Sequence, residues 1–333
     1  MTFSVIIPTY NRKAGLIECL GALSRQTYQS QWFEVIVVDD GSTQRVEEMI
    51  DVSDYPFPLK IITQVNGGAA SARNAGADRA TGDFLAFTED DTIPDGDWLE
   101  RAAAHLTRDT TIDVLEGRTV TESTRTNIRR GDAPGIPSFI PCNLFVRTTM
   151  FRRTAGYDVS FYDPVHHLYF REDADLGFQL LDKGAKVAIA TDVIVSHPVQ
   201  FAGIEDALRH ARRYRFDPLL YRKHPLRFRS MIEVKKLMGM TVRRVQHIMS
   251  LLFLFAAAWM VLVALRGFGI ELFPLAIVVL LDVLFFKYKY QGIQGFRFSR
   301  VWDFPAFALV PLVYLVSVIR GAVRYRSFAV LIP

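Results

Sequence analysis

Residues 87–95 read FTEDDTIPD, so Glu89, Asp90 and Asp91 stand side by side directly after the apolar run 84–87. Three adjacent carboxylates repel one another. A divalent cation offsets that repulsion, and Mg²⁺ or Mn²⁺ takes hard oxygen ligands of this kind. Two further acidic pairs stand at similar places. Asp39-Asp40 closes the apolar run 33–38, and Glu172-Asp173 opens an amphipathic stretch that runs to Gly184. The chemistry suggested is the handling of an anionic substrate through a bound cation.

Such carboxylates need a frame. Short apolar runs alternate with amphipathic ones, and strands are expected over 3–8, 33–40, 59–64 and 82–91, with helices over 14–26, 46–52 and 68–80. Continuously apolar strands between helices imply an α/β fold with a mostly parallel sheet covered on both faces. Pro8, Thr9, Tyr10 and Asn11 end the first strand, as Asp39-Asp40 and Asp90-Asp91 end later ones. Ligands of such sheets bind outside the carboxyl ends of the strands, so that edge is the candidate site. Farther on, a helix capped by Asp97 is expected over 97–106, a helix from about Asp173 to Gly184, and a strand over 186–198 that carries His197.

The chain has 333 residues, of which 50% are hydrophobic and 22% charged, which excludes disordered and fibrous classes. Residues 222–244 hold eight Lys/Arg and one Glu, a local charge of +7, just before the first long apolar run. A nucleic-acid patch has that look, but the position beside an apolar run favours anionic headgroups and the positive-inside rule. Residues 205–224 look like an interfacial helix. Apolar segments at 246–265, 270–287 and 304–320 read as a transmembrane region. The last is short for a bilayer, so two spans plus a re-entrant or surface helix stand beside three spans. Asp282, inside the second, is either a polar contact between spans or a functional group. The two cysteines, Cys19 and Cys142, have no metal-ligand spacing and suggest no disulfide framework. No signal peptide is visible, which places the front domain in the cytoplasm. Three regions are expected: 1–204 catalytic, 205–244 basic and interfacial, 245–333 membrane-embedded.

Five stretches occur in one order: VIIPTYNR (5–12), VIVVDDGST (35–43), NGGAASARNAG (66–76), FTEDDTIPDGDWLE (87–100) and FREDADLGFQLLDKG (170–184). Together they closely resemble the family 2 glycosyltransferases of GT-A fold, over residues 3–198. The resemblance implies a nucleotide-sugar donor whose diphosphate is neutralised by Mn²⁺ or Mg²⁺ as it leaves. It assigns Asp91 to the metal and Asp90 to the ribose and the metal's water shell. Glu89 stands where Asp is commoner, which leaves its role open. His197 completes the metal site in many relatives, and imidazole is an acceptable Mn²⁺ ligand. Asp40, with Asp39 as runner-up, would meet the base edge, and Pro8, Thr9 and Tyr10 would line the nucleotide pocket. Arg73 resembles a diphosphate or base-side contact, with a structural ion pair as the equal alternative. Asp173 would be the catalytic base, because an inverting transfer needs one carboxylate to accept the acceptor hydroxyl's proton. A place at a helix start favours its ionised form. Glu172 and Asn143 would touch the acceptor, while His166 and His167 read as solvated loop.

The leading reading is therefore an inverting, metal-dependent transferase at the cytoplasmic membrane face. It would move a sugar, from UDP more readily than GDP, to a hydroxyl of a lipid-linked or membrane-proximal glycan. A polyprenyl-phosphate transferase is an alternative, against which the Asp of RED speaks, since a phosphate acceptor needs no base. A processive synthase would carry a Gln-x-x-Arg-Trp motif that HARRYRF (210–216) is not. From another class, a non-catalytic nucleotide-sugar-binding membrane scaffold would not need both Asp91 and Asp173.

Overall fold

The computed structural model describes residues 1–121, 137–197, 204–237, 240–243, 245–267, 272–290 and 307–331. Two compact units divide the chain, Met1–Val199 and Gln200–Pro333.

The first unit is a mixed α/β layer structure. Its strands are β1 (Phe3–Thr9), β2 (Phe33–Asp39), β3 (Leu59–Thr63), β4 (Phe84–Phe87), β5 (Ile93–Pro94), β6 (Val114–Thr121), β7 (Leu144–Arg147) and β10 (Val187–His197), with a separate hairpin of β8 (Tyr162–Asp163) and β9 (Leu168–Tyr169). Its helices are α1 (Lys13–Leu23), α2 (Gly68–Arg79), α3 (Trp98–Arg108), α4 (Thr148–Phe151) and α5 (Glu172–Asp182). The sheet runs β3-β2-β1-β4-β7-β6-β10-β5. Pairing is parallel from β3 through β4 and between β6 and β10, and antiparallel where β7 and β5 join. β1 and β2 are buried along their whole lengths, which is why their sequences are continuously apolar rather than alternating. Val5, Ile7, Val35 and Val37 join Leu16, Leu20 and Leu23 of α1 in one core. Each such side chain contributes roughly 1.5–3 kcal/mol when fully buried.

Local departures from expectation have local causes. The fourth strand stops at Phe87, and Asp90 and Asp91 lie in a turn. The helix expected over 46–52 is instead two short 3-10 turns, Val46–Glu48 and Val52–Asp54. Asp39 takes the Val46 N–H at 3.1 Å, and Asp51 takes the Ser53 N–H at 2.9 Å, so side chains satisfy donors that a longer helix would use. Asp97 precedes α3 but makes no cap bond; its carboxylate accepts from Arg101 Nε at 2.6 Å.

α1 packs close against the acidic turn. A Cβ at Gly15 would lie 2.6 Å from the Asp90 carbonyl oxygen. Gly15→Ala is expected to lower the melting temperature, since overpacking costs about 1–3 kcal/mol against about 1 kcal/mol of helix propensity gained. The shift should also disturb the turn, so weakened Mn²⁺ binding alongside the lower Tm is the expected pair of results. Unchanged Tm and unchanged binding would show that α1 has slack here.

The second unit contains α6 (Ile204–Arg213), α7 (Asp217–Lys223), α8 (Pro225–Arg227), a hairpin of β11 (Val234–Leu237) and β12 (Met240–Arg243), then α9 (Val245–Leu265), α10 (Leu272–Tyr290) and α11 (Val310–Arg324). The single interfacial helix expected over 205–224 is divided by a 3-10 turn at Tyr214–Phe216, ahead of Pro218. Of the three expected apolar segments, only Gln246–Leu265 is long and apolar enough to cross a membrane among the described residues; Leu272–Leu284 is a shorter apolar stretch. α11 has 15 residues and buries Val310, Tyr314, Val318 and Ala322 within its own unit. Parts of these expectations, Pro198, residues 270–271 and the stretch 291–306 with its basic loop, lie outside the described residues.

Candidate active site

The pairing of β5 with β10 brings the acidic turn to His197. Ile93 lies opposite Ser196 in antiparallel register. Asp91, two residues before Ile93, thereby meets His197 across the same corner. His197 Nε2 is 3.6 Å from Asp91 Oδ1 and 3.8 Å from Glu89 Oε2. One donor atom from each of Glu89, Asp91 and His197 falls within 4.8 Å of the others. Asp91 Oδ1 is buried and makes no hydrogen bond. An orphaned carboxylate oxygen close to a second carboxylate and an imidazole fits a divalent cation such as Mn²⁺ or Mg²⁺. Glu89, unplaced by sequence reasoning, therefore belongs to this cluster.

Two arginines also answer the repulsion among the acids, and sequence reasoning gave Arg12 no role. Arg12 Nη1 donates to Asp91 Oδ2 and lies 3.5 Å from Asp90 Oδ1. The only signal was its place in VIIPTYNR. Arg73 Nη2 donates to Glu89 Oε1 at 3.0 Å. Asp90 is buried and accepts from Thr9 Oγ1 at 2.7 Å. Burial pushes its carboxyl up to about 6, although the Thr9 hydroxyl and Arg12 pull the other way.

On the β1–β2 side the expected donor residues gather at one edge. Pro8 and Thr9 are buried at the end of β1, and Tyr10 is 43% exposed beyond it. Asn11 adopts a left-handed φ of 56°, which Asn tolerates. Its Oδ1 accepts from Thr43 N and its own N–H donates to Ser42 Oγ, both at 2.9 Å, tying the two strand-end loops together. Asp39 is fully buried and holds its own loop, accepting from Ser42 N and Val46 N. Asp40 accepts from Gly67 N and Gly68 N at 2.8 Å and from Gln64 Nε2 at 2.6 Å. It thus anchors the N-terminus of α2 as an anion at a helix start.

On the other side lies the start of α5, where Arg171 holds φ at 78°. Asp173 is half-buried in the first turn, and its Oδ1 accepts from Ala174 N at 2.7 Å. Glu172 is buried and faces Arg73, with Oε1 3.9 Å from Nη1, rather than facing outward to an acceptor. Glu116, another buried carboxylate unnoticed in the sequence, accepts from Ser138 N and Phe139 N. Asn143 is not brought to this edge. It is 1% exposed, and its side chain accepts from Trp98 Nε1 and donates to the carbonyls of Arg118 and Val193. His166 pairs with Asp163, and His167 with Tyr162, in the β8–β9 hairpin.

Burial pushes the Glu172 carboxyl up to about 7, with neighbouring Asp173 adding to the rise and Arg73 opposing it. An acid raised in the fold is penalised when charged. The penalty is absent below its ordinary value of 4.5 and grows as pH rises through about 7. Wild type should therefore lose thermal stability relative to Glu172→Gln between pH 5 and 7.5. Parallel Tm–pH curves for the two proteins would refute this.

Comparison with known proteins gives the family and the fold. The sequence model of "Glycosyl transferase family 2" matches residues 4–177. Glycosyltransferase AglE of Haloferax volcanii is 30% identical over 211 residues, covering 59% of this chain and 67% of AglE. The mannosyltransferase PcManGT of Pyrobaculum calidifontis, solved with GDP-Man and Mn²⁺, superposes with a TM-score of 0.59 at 18% identity over 97% of this chain and 86% of that one. The crystal structure of S. aureus TarS gives a TM-score of 0.52 at 21% identity, covering 68% of this chain but only 44% of TarS. On the match to more than half its length, the chain belongs to glycosyl transferase family 2.

Proposed function

We propose that the protein is an inverting, metal-dependent glycosyltransferase that moves a sugar from a nucleotide-sugar donor, UDP- in preference to GDP-, to a hydroxyl of a lipid-linked or membrane-proximal glycan. The observation that carries this reading is the Glu89–Asp91–His197 cluster, with its orphaned oxygen, on the same unit as the first-turn carboxylate Asp173. Solved relatives with UDP-GlcNAc and with GDP-Man and Mn²⁺ support nucleotide sugars as the donor class.

In this mechanism Asp91, His197 and Glu89 hold the cation. A bound Mn²⁺ or Mg²⁺ would supply charge to the diphosphate leaving group. Thr9 holds Asp90 in place beside these residues, and Arg12 pairs with Asp91 and Asp90. Tyr10 and the backbone of Pro8-Thr9 border the nucleotide, with Asp40 and Asp39 fixing the walls against the base. Asp173 accepts the proton of the incoming hydroxyl, which transfers the sugar in one displacement with inversion.

The second unit is the membrane anchor in this reading, with residues 205–244 at the interface and at least the helix Gln246–Leu265 in the bilayer. Two observations support it. Only 22% of the apolar window of that helix is buried, unlike the core helix of a soluble protein. Leu251, Leu252, Phe255, Trp259 and Val261 are all exposed along it. The catalytic unit and the basic residues of 222–244 would then both face the cytoplasm.

Purified protein with Mn²⁺ should release nucleoside diphosphate from one class of UDP- or GDP-sugar once membrane lipid extract is added. No release from any donor, with or without the extract, would overturn the reading in favour of a binding scaffold.

A further inference from the structure

Behind the carboxylate edge lies a group of polar atoms that the proposed reaction leaves unused. Arg73 of α2 is 2% exposed. Its Nη2 donates to Glu89 Oε1 at 3.0 Å, Nη1 is 3.9 Å from Glu172 Oε1, and its guanidinium carbon lies 5.4 Å from the centre of the Tyr157 ring. Nε and Nη1 of Arg73, Oε2 of Glu172 and the Tyr157 hydroxyl are all buried without a hydrogen bond. Leaving one such group unmet costs about 1–3 kcal/mol. A buried ion pair is also often replaceable by apolar residues without loss of stability. Stability therefore does not account for keeping these three residues together.

The fold fixes them with care. Asn74, next to Arg73, binds the Tyr157 backbone on both sides, through Nδ2 to the carbonyl at 2.7 Å and through Oδ1 from the N–H at 2.8 Å. Gln179 of α5 accepts from Ala155 N at 2.9 Å and donates to the Gly156 carbonyl at 3.2 Å. The loop 155–157 is thus held between α2 and α5, with Tyr157 set against the guanidinium. Arg73 occupies one oxygen of Glu89, and the other oxygen of Glu89 is the one turned to His197.

We propose that Arg73 is a positioning residue that links the cation cluster to the start of α5: it fixes Glu89 in the cluster while leaning on Glu172, with Tyr157 as its platform. This inference rests on the metal-dependent reading above. Glu89 and Glu172 share this one guanidinium, so a change at either carboxylate is felt at the other. Arg73 thereby ties Glu89 of the cluster to the start of the helix that carries Asp173.

Mn²⁺ itself is the probe, with free Mn²⁺ read by electron paramagnetic resonance on the full-length chain in detergent. Arg73→Lys, which keeps the charge but not the fork, should weaken Mn²⁺ binding by about tenfold, as for outer-shell partners of metal ligands. Glu172→Gln, outside the cluster, should weaken it severalfold, and the double variant should be no weaker than Arg73→Lys alone. Asp173→Asn removes the same charge from the neighbouring residue and should leave Mn²⁺ binding unchanged. A purely structural Arg73 would lower Tm without moving Mn²⁺ affinity. If Arg73→Lys fails to fold, the neutral isosteres Glu172→Gln and Asp173→Asn decide the matter. Equal weakening in both would mean charge acting through space, and wild-type binding in Glu172→Gln would mean no link; either result overturns the inference. Absence of Mn²⁺ binding by the wild-type chain would instead overturn the metal-dependent reading, and this inference with it.

Discussion

Asp173→Asn is expected to reduce sugar transfer by about 10²–10⁴-fold, the range supplied by a positioned general base. Mn²⁺ and donor binding should stay at wild-type strength, because Asp173 belongs to α5 and not to the Glu89–Asp91–His197 cluster. Asparagine keeps the size and one acceptor oxygen, so the contact to Ala174 N survives. The loss should therefore appear in kcat rather than in donor affinity, and single-turnover kinetics with saturating donor would measure it. Donor binding that falls as far as transfer would mean that Asp173 holds the donor. Transfer that stays near wild type would point to a different proton acceptor, with Glu172 the next carboxylate to test.

Asp91→Asn should show the opposite division. Its Oδ1 is a buried oxygen without a hydrogen bond, 3.6 Å from His197 Nε2, and its Oδ2 receives Arg12. Replacing that carboxylate would remove one of the three proposed ligands. Mn²⁺ affinity should fall by at least about a hundredfold, beyond the 10–100-fold typical of outer-shell partners. Transfer should fall with it and recover in part at high Mn²⁺. Titration of Mn²⁺ by calorimetry, followed by a transfer assay across Mn²⁺ concentrations, gives both numbers. Mn²⁺ binding at wild-type strength in Asp91→Asn would remove Asp91 from the cation site and leave Glu89 and His197 without a third ligand.

The two variants part company because the acids are of two kinds. Asp90 and Asp91 sit in a turn beside a strand end, where Arg12 and His197 are close. Asp173 sits in the first turn of a helix, where backbone N–H groups and the dipole favour the anion. Glu172, one residue away but buried, is pushed toward the neutral form instead. Adjacent carboxylates thus meet different surroundings, one buried against Arg73 and one half-exposed in the first helical turn.

What the sequence by itself determined is the part that local pattern encodes. The β1, β2 and β3 runs, the α1 stripe, the Ala-rich α2, the acids at strand ends and the apolar segment at 246–265 were all legible, because runs and periods of apolar residues are written in residue order. The order of motifs also carried the family. The tertiary structure alone decided what those residues touch. Glu89 enters the cation cluster only because β5 pairs with β10 and brings His197 over the turn. Asn143, expected at the acceptor, has its amide engaged by Trp98, Arg118 and Val193. Arg73, expected as a diphosphate or base-side contact or a structural ion pair, is buried and paired with Glu89 and Glu172 because α2 and the 155–157 loop close around it. The helix expected over 46–52 dissolves into two turns because Asp39, from another element, takes one of its donors. In each case the deciding partner lies on another element, and no local periodicity records such a contact. Burial and ion pairing are properties of the assembled unit, so they became readable only once the strands were placed side by side.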